Sequence, residues 1–222
     1  MDRAMINTGP RRLLTAGFTL VELMVALALG SIVMAAVMTA FLSQHNTYLA
    51  QGQVVEMQQN ARVALDMLEL DIRSAGYDPN NLGAGITTAG VNNLVFTRDN
   101  GAGVLETISY IQVDAFVAEG RNDGLVDDLG RDDGTGAGLL PVAENISQLE
   151  FRYLDGDGNA TAVVNNIRSI QVSILAQSAR SEAQSNPGRD IYTTPSGVPW
   201  QAPVGFWNLY LTTTVYCRNQ GL

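Results

Sequence analysis

From Phe18 to Leu42 the chain reads FTLVELMVALALGSIVMAAVMTAFL, 25 residues with a single charge, Glu22. This run limits what the chain can fold into more than any other feature. A bilayer core of ~30 Å takes about 20 helical residues, so the run is long enough to span one as a single helix. Arg3, Arg11 and Arg12 precede it, and the next basic residue after it is Arg62. Basic residues stay on the cytoplasmic side of a membrane, which predicts a cytoplasmic N-terminus and a periplasmic remainder. A secretory signal is the competing reading. Its apolar core spans about 7–15 residues and ends at a small-residue cleavage site. The present run is longer, carries a carboxylate near its start and is followed by SQHN.

Glu22 calls for an explanation. An ionised carboxylate in hydrocarbon costs on the order of 3 kcal/mol. Either it lies shallow among the headgroups, or it meets a cation nearby. The rest of the chain is poor in chemistry. All 13 basic residues are Arg, set against 22 acids, for a net charge of −9. A phosphate-binding face needs the opposite sign, so no nucleic-acid partner is expected. One cysteine, Cys217, and one histidine, His45, exclude an intrachain disulfide and disfavour zinc or His-based catalysis. No phosphate-binding loop, dinucleotide fingerprint or nucleophile elbow is present. An enzyme is not expected.

Beyond Leu42 a helical beat continues. Met57, Ala61, Ala64, Leu65, Leu68, Ile72 and Ala75 recur at steps of three and four, the apolar stripe of a helix laid on a core. Glu69 and Arg73 stand at i, i+4, the favourable order for an exposed pair. Gly76 reads as the C-cap and Pro79 bars continuation, which predicts one helix from Phe18 to Ala75 with Gly30 and Gly52 as its weak points. Past Pro79 the period changes to two. Residues 91–98, 104–114, 146–155, 166–178 and the last strand after Trp207 alternate apolar and polar side chains. One antiparallel sheet packed on the second half of the helix is the expected α+β head.

Gly17-Phe18-Thr19-Leu20-Val21-Glu22, with its basic leader and apolar run, resembles the prepilin processing motif of type IV pilins and type II secretion pseudopilins. The resemblance implies that prepilin peptidase cuts after Gly17 and methylates Phe18, and that Glu22 neutralises a neighbouring subunit's N-terminus. It further implies four parts: a leader 1–17, a transmembrane and assembly half-helix 18–42, a periplasmic half-helix 43–76 and a β head 77–222. The segments NARVALDMLELDIRSAGYDP, PVAENISQLEFRYLDGDGN, NNIRSIQVSILAQ and CRNQGL are similar to the PilW-type minor pilins and, next, to the J-type pseudopilins. The partners so implied are other minor and major pilins and the inner-membrane assembly platform. The implied role is to initiate or cap a pilus, at or near its tip. A J-like pseudopilin or a tip adhesin is the alternative.

Residues 120–138 depart from that pattern. Asp123, Asp127, Asp128, Asp132 and Asp133 crowd a glycine-rich stretch. Calcium is the cofactor such oxygens would take; a solvated loop is the plainer reading. Asp155, Asp157 and Asn159 mimic the start of an EF-hand loop, but Ala160 and Asn166 stand where that loop needs Gly and Glu, so a turn between strands is expected. Trp200 and Trp207 belong to a Pro-rich stretch, NPGRDIYTTPSGVPWQAPVGFW, that reads equally as a partner surface or as a lid on the sheet.

Overall fold

The computed structural model describes residues 17–113, 127–181 and 190–220. The chain divides into two compact units, residues 1–49 and 50–222.

Helix α1 runs unbroken through Leu20–Ser74. In the first unit every side chain from Phe18 to Leu49 is exposed, so the apolar run finds no cover among the described residues. By length and composition it can cross a membrane. Its hydroxyls are satisfied locally: Ser31 donates to the Ala28 carbonyl at 2.7 Å and Thr39 to Ala35 at 2.9 Å, as lipid surroundings require. Neither Gly30 nor Gly52 interrupts the helix, and a Cβ at either would meet nothing within 4 Å.

In the second unit the helix buries Met57, Ala61, Ala64, Leu68, Asp71 and Ile72. This is the expected stripe with one acid added. Leu65 packs against the core from its rim. Gly76 ends the helix at φ +74, a left-handed position that costs a Cβ-bearing residue ~1–2 kcal/mol. Its N–H donates to the Thr97 carbonyl at 3.0 Å. Asn219, in the C-terminal tail, donates from Nδ2 to the Arg73 carbonyl at 3.2 Å and so serves one of the carbonyls a helix end leaves open.

The β elements are β1 (Ile86–Ala89), β2 (Asn93–Asp99), β3 (Leu105–Val113), β4 (Asp128–Asp132), β5 (Leu140–Ala143), β6 (Ile146–Leu154), β7 (Ser169–Gln177), β8 (Ile191–Thr193), β9 (Pro199–Gln201) and β10 (Asn208–Tyr216). Here the expectation of one sheet is corrected. The described strands form a five-stranded sheet in the order β1-β2-β3-β4-β5, a three-stranded sheet β10-β7-β6 and a two-stranded sheet β8-β9. All pairings are antiparallel. The break falls at Asn145, whose φ of 60 redirects the chain between β5 and β6. Pro141, which cannot donate to a ladder, sits in β5 at the edge of the first sheet, where proline is tolerated.

The two larger sheets are joined by specific bonds. Phe151 N–H donates to the Val91 carbonyl at 2.7 Å, and the Tyr153 hydroxyl donates to the Gly90 carbonyl at 2.7 Å. Leu94, Phe96, Ile108 and Leu129 from the first sheet and Phe151, Ile170, Val172 and Ile174 from the second close one core with the helix stripe. Burying each large side chain contributes about 1.5–3 kcal/mol, which holds this part of α1 far better than helix propensity would. The β8-β9 hairpin lies on the other face of the three-stranded sheet. Trp200, 7% exposed, meets Tyr210 edge-on at 6.0 Å, and Tyr192 stacks on the same ring at 5.4 Å. Of the two readings for this segment, the hairpin takes the lid. Trp207 stays 37% exposed.

Candidate functional site

Thr19, Leu20, Val21 and Glu22 spell the T-x-x-E pattern of a helix capping box, and the structure closes it. The Thr19 hydroxyl accepts from the Glu22 N–H at 3.2 Å. The Glu22 carboxylate accepts from the Thr19 N–H at 2.9 Å and from its hydroxyl at 3.0 Å. This explains why the helix begins at Leu20 rather than at Phe18: Thr19 is its cap. Glu22 thereby satisfies an orphan donor and places a negative charge beside the positive helix end. Phe18 is 92% exposed, and among the described residues nothing lies within 4 Å of a would-be Cβ on Gly17.

The acidic stretch is arranged differently. Asp123 lies outside the described residues. Asp128 and Asp132 are the two ends of β4, about 13 Å apart at ~3.3 Å per residue. Asp127 Oδ2 accepts from Gln177 Nε2 at 2.7 Å, Asp132 Oδ1 from the Gly134 N–H at 2.8 Å, and Asp133 Oδ1 from the Thr135 hydroxyl at 2.7 Å. Those Thr135 bonds hold the Asp133 carboxyl below the usual range. Among the described residues no group of three or more acid, His or Cys side chains converges as metal ligands. Asp155 caps a turn, accepting from the N–H groups of Asp157 at 3.0 Å and Asn159 at 2.9 Å.

The acid that matters most to the head escaped the sequence reading. Asp71, 3% exposed, faces three partners on the five-stranded sheet. Its Oδ2 accepts from Arg131 Nε at 2.7 Å and from the Tyr110 hydroxyl at 2.7 Å, and its Oδ1 from Arg98 Nη1 at 3.4 Å. Burial, and then the Asp71 hydrogen bond, push the Tyr110 hydroxyl well above its ordinary range. One signal was present: Asp71 stands three residues after Leu68, on the apolar stripe, where a charge needs a partner. Its partners lie 27 to 60 residues away, beyond what helical spacing reveals. Cys217, 4% exposed, is a buried thiol whose pKa burial pushes up to about 12, as expected for an inert packing residue.

With this geometry in hand, residues 14–38 match the family model of the prokaryotic N-terminal methylation motif. The chain carries that motif. No curated protein matches the chain. Among solved structures the chain is similar to a type IV-like pilin from Thermus thermophilus, at 14% identity over 74% of this chain and 98% of that one, with a TM-score of 0.45. The matched segment spans the capping box, Gly17, Phe18 and the first five turns of the apolar helix. It is followed by an α+β head of one long helix and antiparallel sheets.

Proposed function

We propose that this chain is a type IV pilin-like structural subunit, a minor pilin of the PilW type that helps to initiate or cap pilus assembly. The observation that carries this reading is the methylation motif at residues 14–38 running without a break into the helix of the head. Prepilin peptidase would cut between Gly17 and Phe18 and methylate the new terminus. Before assembly, lipid surrounds the exposed apolar side chains of residues 18–49. On extraction they require an equally apolar environment, which the helices of neighbouring subunits supply. Glu22 and a Phe18 amine would then set register, since an unpaired charge in such a bundle is costly. No step of this mechanism is catalytic.

Intact-mass measurement on the protein from its native membrane tests the processing. The expected species starts at N-methylated Phe18. Amine-directed labelling adds an independent readout, because the chain has no lysine and such reagents report only an N-terminus. A species retaining Met1 in cells with active prepilin peptidase would overturn the reading. Co-purification separates the two assembly systems: pilus minor subunits support the PilW-type role, and partners from a type II secretion complex support the J-like one.

A further inference from the structure

A pocket of about 540 Å³ opens beside β6, between that strand, the loop carrying Val91 and the β8-β9 hairpin. Val91, Phe151, Tyr153 and Val198 give it apolar walls, and Glu150 and Ser196 bring polar groups to it. Its size lies in the range that takes small ligands. Glu150 is 4% exposed. One of its oxygens, Oε2, accepts from the Ser196 hydroxyl at 2.7 Å, and Ser196 in turn lies 3.0 Å from Thr194 Oγ1. The other, Oε1, is buried and meets no donor among the described residues. Arg152, two residues along, lines the same pocket but turns Nη1 to Gln171 Oε1 at 3.3 Å. A buried carboxylate with one oxygen unserved and, among the described residues, no counter-charge in contact is costly. In a chain of net charge −9 the general field adds to its pull on cations.

We infer that this pocket binds an aliphatic primary ammonium, the group a lysine side chain presents, with the ammonium meeting Glu150 Oε1 as the carboxylate turns toward the opening and the methylene stem against the apolar walls. An ammonium supplies both the missing charge and the missing donor, and a charge-assisted bond of this kind exceeds what a neutral hydroxyl offers. A lysine stem is apolar up to its head, which suits walls of Val, Phe and Tyr. This chain contains no lysine, so neither its own tail nor a second copy can present one, and the ligand comes from a different molecule. This inference does not rest on the pilin reading.

The test titrates the full chain in detergent with three probes: N-acetyl-lysine N-methylamide, its ε-acetylated form and n-pentylamine. Saturable binding is expected for the first probe and none for the acetylated one. Glu150→Gln, which keeps the shape and removes the charge, should weaken binding about tenfold or more. Should that variant unfold, Val198→Trp, at a side chain 48% exposed, blocks the mouth and is expected to abolish binding with the melting temperature unchanged. Binding of blocked lysine identifies a protein-borne ammonium, and binding of n-pentylamine alone identifies a free amine; either supports the site. No saturable binding of either amine overturns it, as does equal binding by the Glu150→Gln protein or by the ε-acetylated probe.

Discussion

Gln220 lies over Gly76, its Nε2 2.5 Å from where a Cβ on that glycine would stand. The tail and the end of the long helix are therefore packed as one corner, with Asn219 bonded to the Arg73 carbonyl. Gly76→Ala should destabilise the head by about 1–2 kcal/mol, the cost of a left-handed alanine. Gln220→Ala in the same chain should recover little, because a long flexible side chain moves aside cheaply while a backbone angle does not. Urea denaturation of the full chain in detergent, followed by tryptophan fluorescence, measures both. Complete rescue by Gln220→Ala would show that the clash, not φ +74, governs this corner.

Asp71→Ala should be the more damaging change. It takes from Arg131 and Tyr110 their closest partner, leaving the guanidinium only Asp133 Oδ2 at 3.3 Å and the hydroxyl only the Met67 carbonyl at 3.4 Å among the described residues. The loss should therefore approach the roughly 3–5 kcal/mol of a broken buried pair. Tyr110→Phe, which removes one hydrogen bond and leaves the ion pair, should cost only about 1–2 kcal/mol. The same denaturation series ranks them. Similar losses for both would mean that the ion pair adds nothing beyond the hydroxyl.

The capping box separates two roles of Glu22. Glu22→Gln keeps a side chain that can cap Thr19 but carries no charge, whereas Glu22→Val removes both. If the carboxylate acts in register, both variants should insert and be cleaved yet fail equally to capture partner subunits in a pull-down from solubilised membranes. Capture restored by Gln would assign the residue to helix capping alone.

Asp78 offers a pH test with a defined sign. Its hydrogen bond from the Leu82 N–H, with those from Ala84 and Gly83, holds its carboxyl below the usual value of 3.8. A depressed folded pKa means that the stabilisation is present above the ordinary aspartate range and is lost as pH falls through the folded value. Protection of the Leu82, Gly83 and Ala84 amides against hydrogen exchange, corrected for intrinsic rates, should therefore fall at the acid end. Asp78→Asn should remove that dependence.

The helix and its two environments were legible in the sequence because helical periodicity is local. An unbroken apolar run marks the exposed half, and a stripe at steps of three and four marks the half that buries Met57, Ala61, Ala64, Leu68 and Ile72. The Gly76 stop, the Glu69–Arg73 ion pair and the alternating strands were legible for the same reason: each is written within a few residues. The motif at Gly17, Phe18 and Glu22 is local too.

Partition of the strands was not local. β5 pairs with β4 and β6 with β7, and the chain turns between them at Asn145 with a positive φ that an Asn can adopt without its sequence revealing it. Glu150 alternates as a solvent-facing residue of β6, yet it is buried and bonded to Ser196 of the hairpin. Asp71 and Arg131 are 60 residues apart, and nothing in either neighbourhood names the other. Side-chain periodicity assigns a residue to a face; it does not say what will cover that face. That was decided by packing between distant segments, where the costs of burying Asp71 and Glu150 arise.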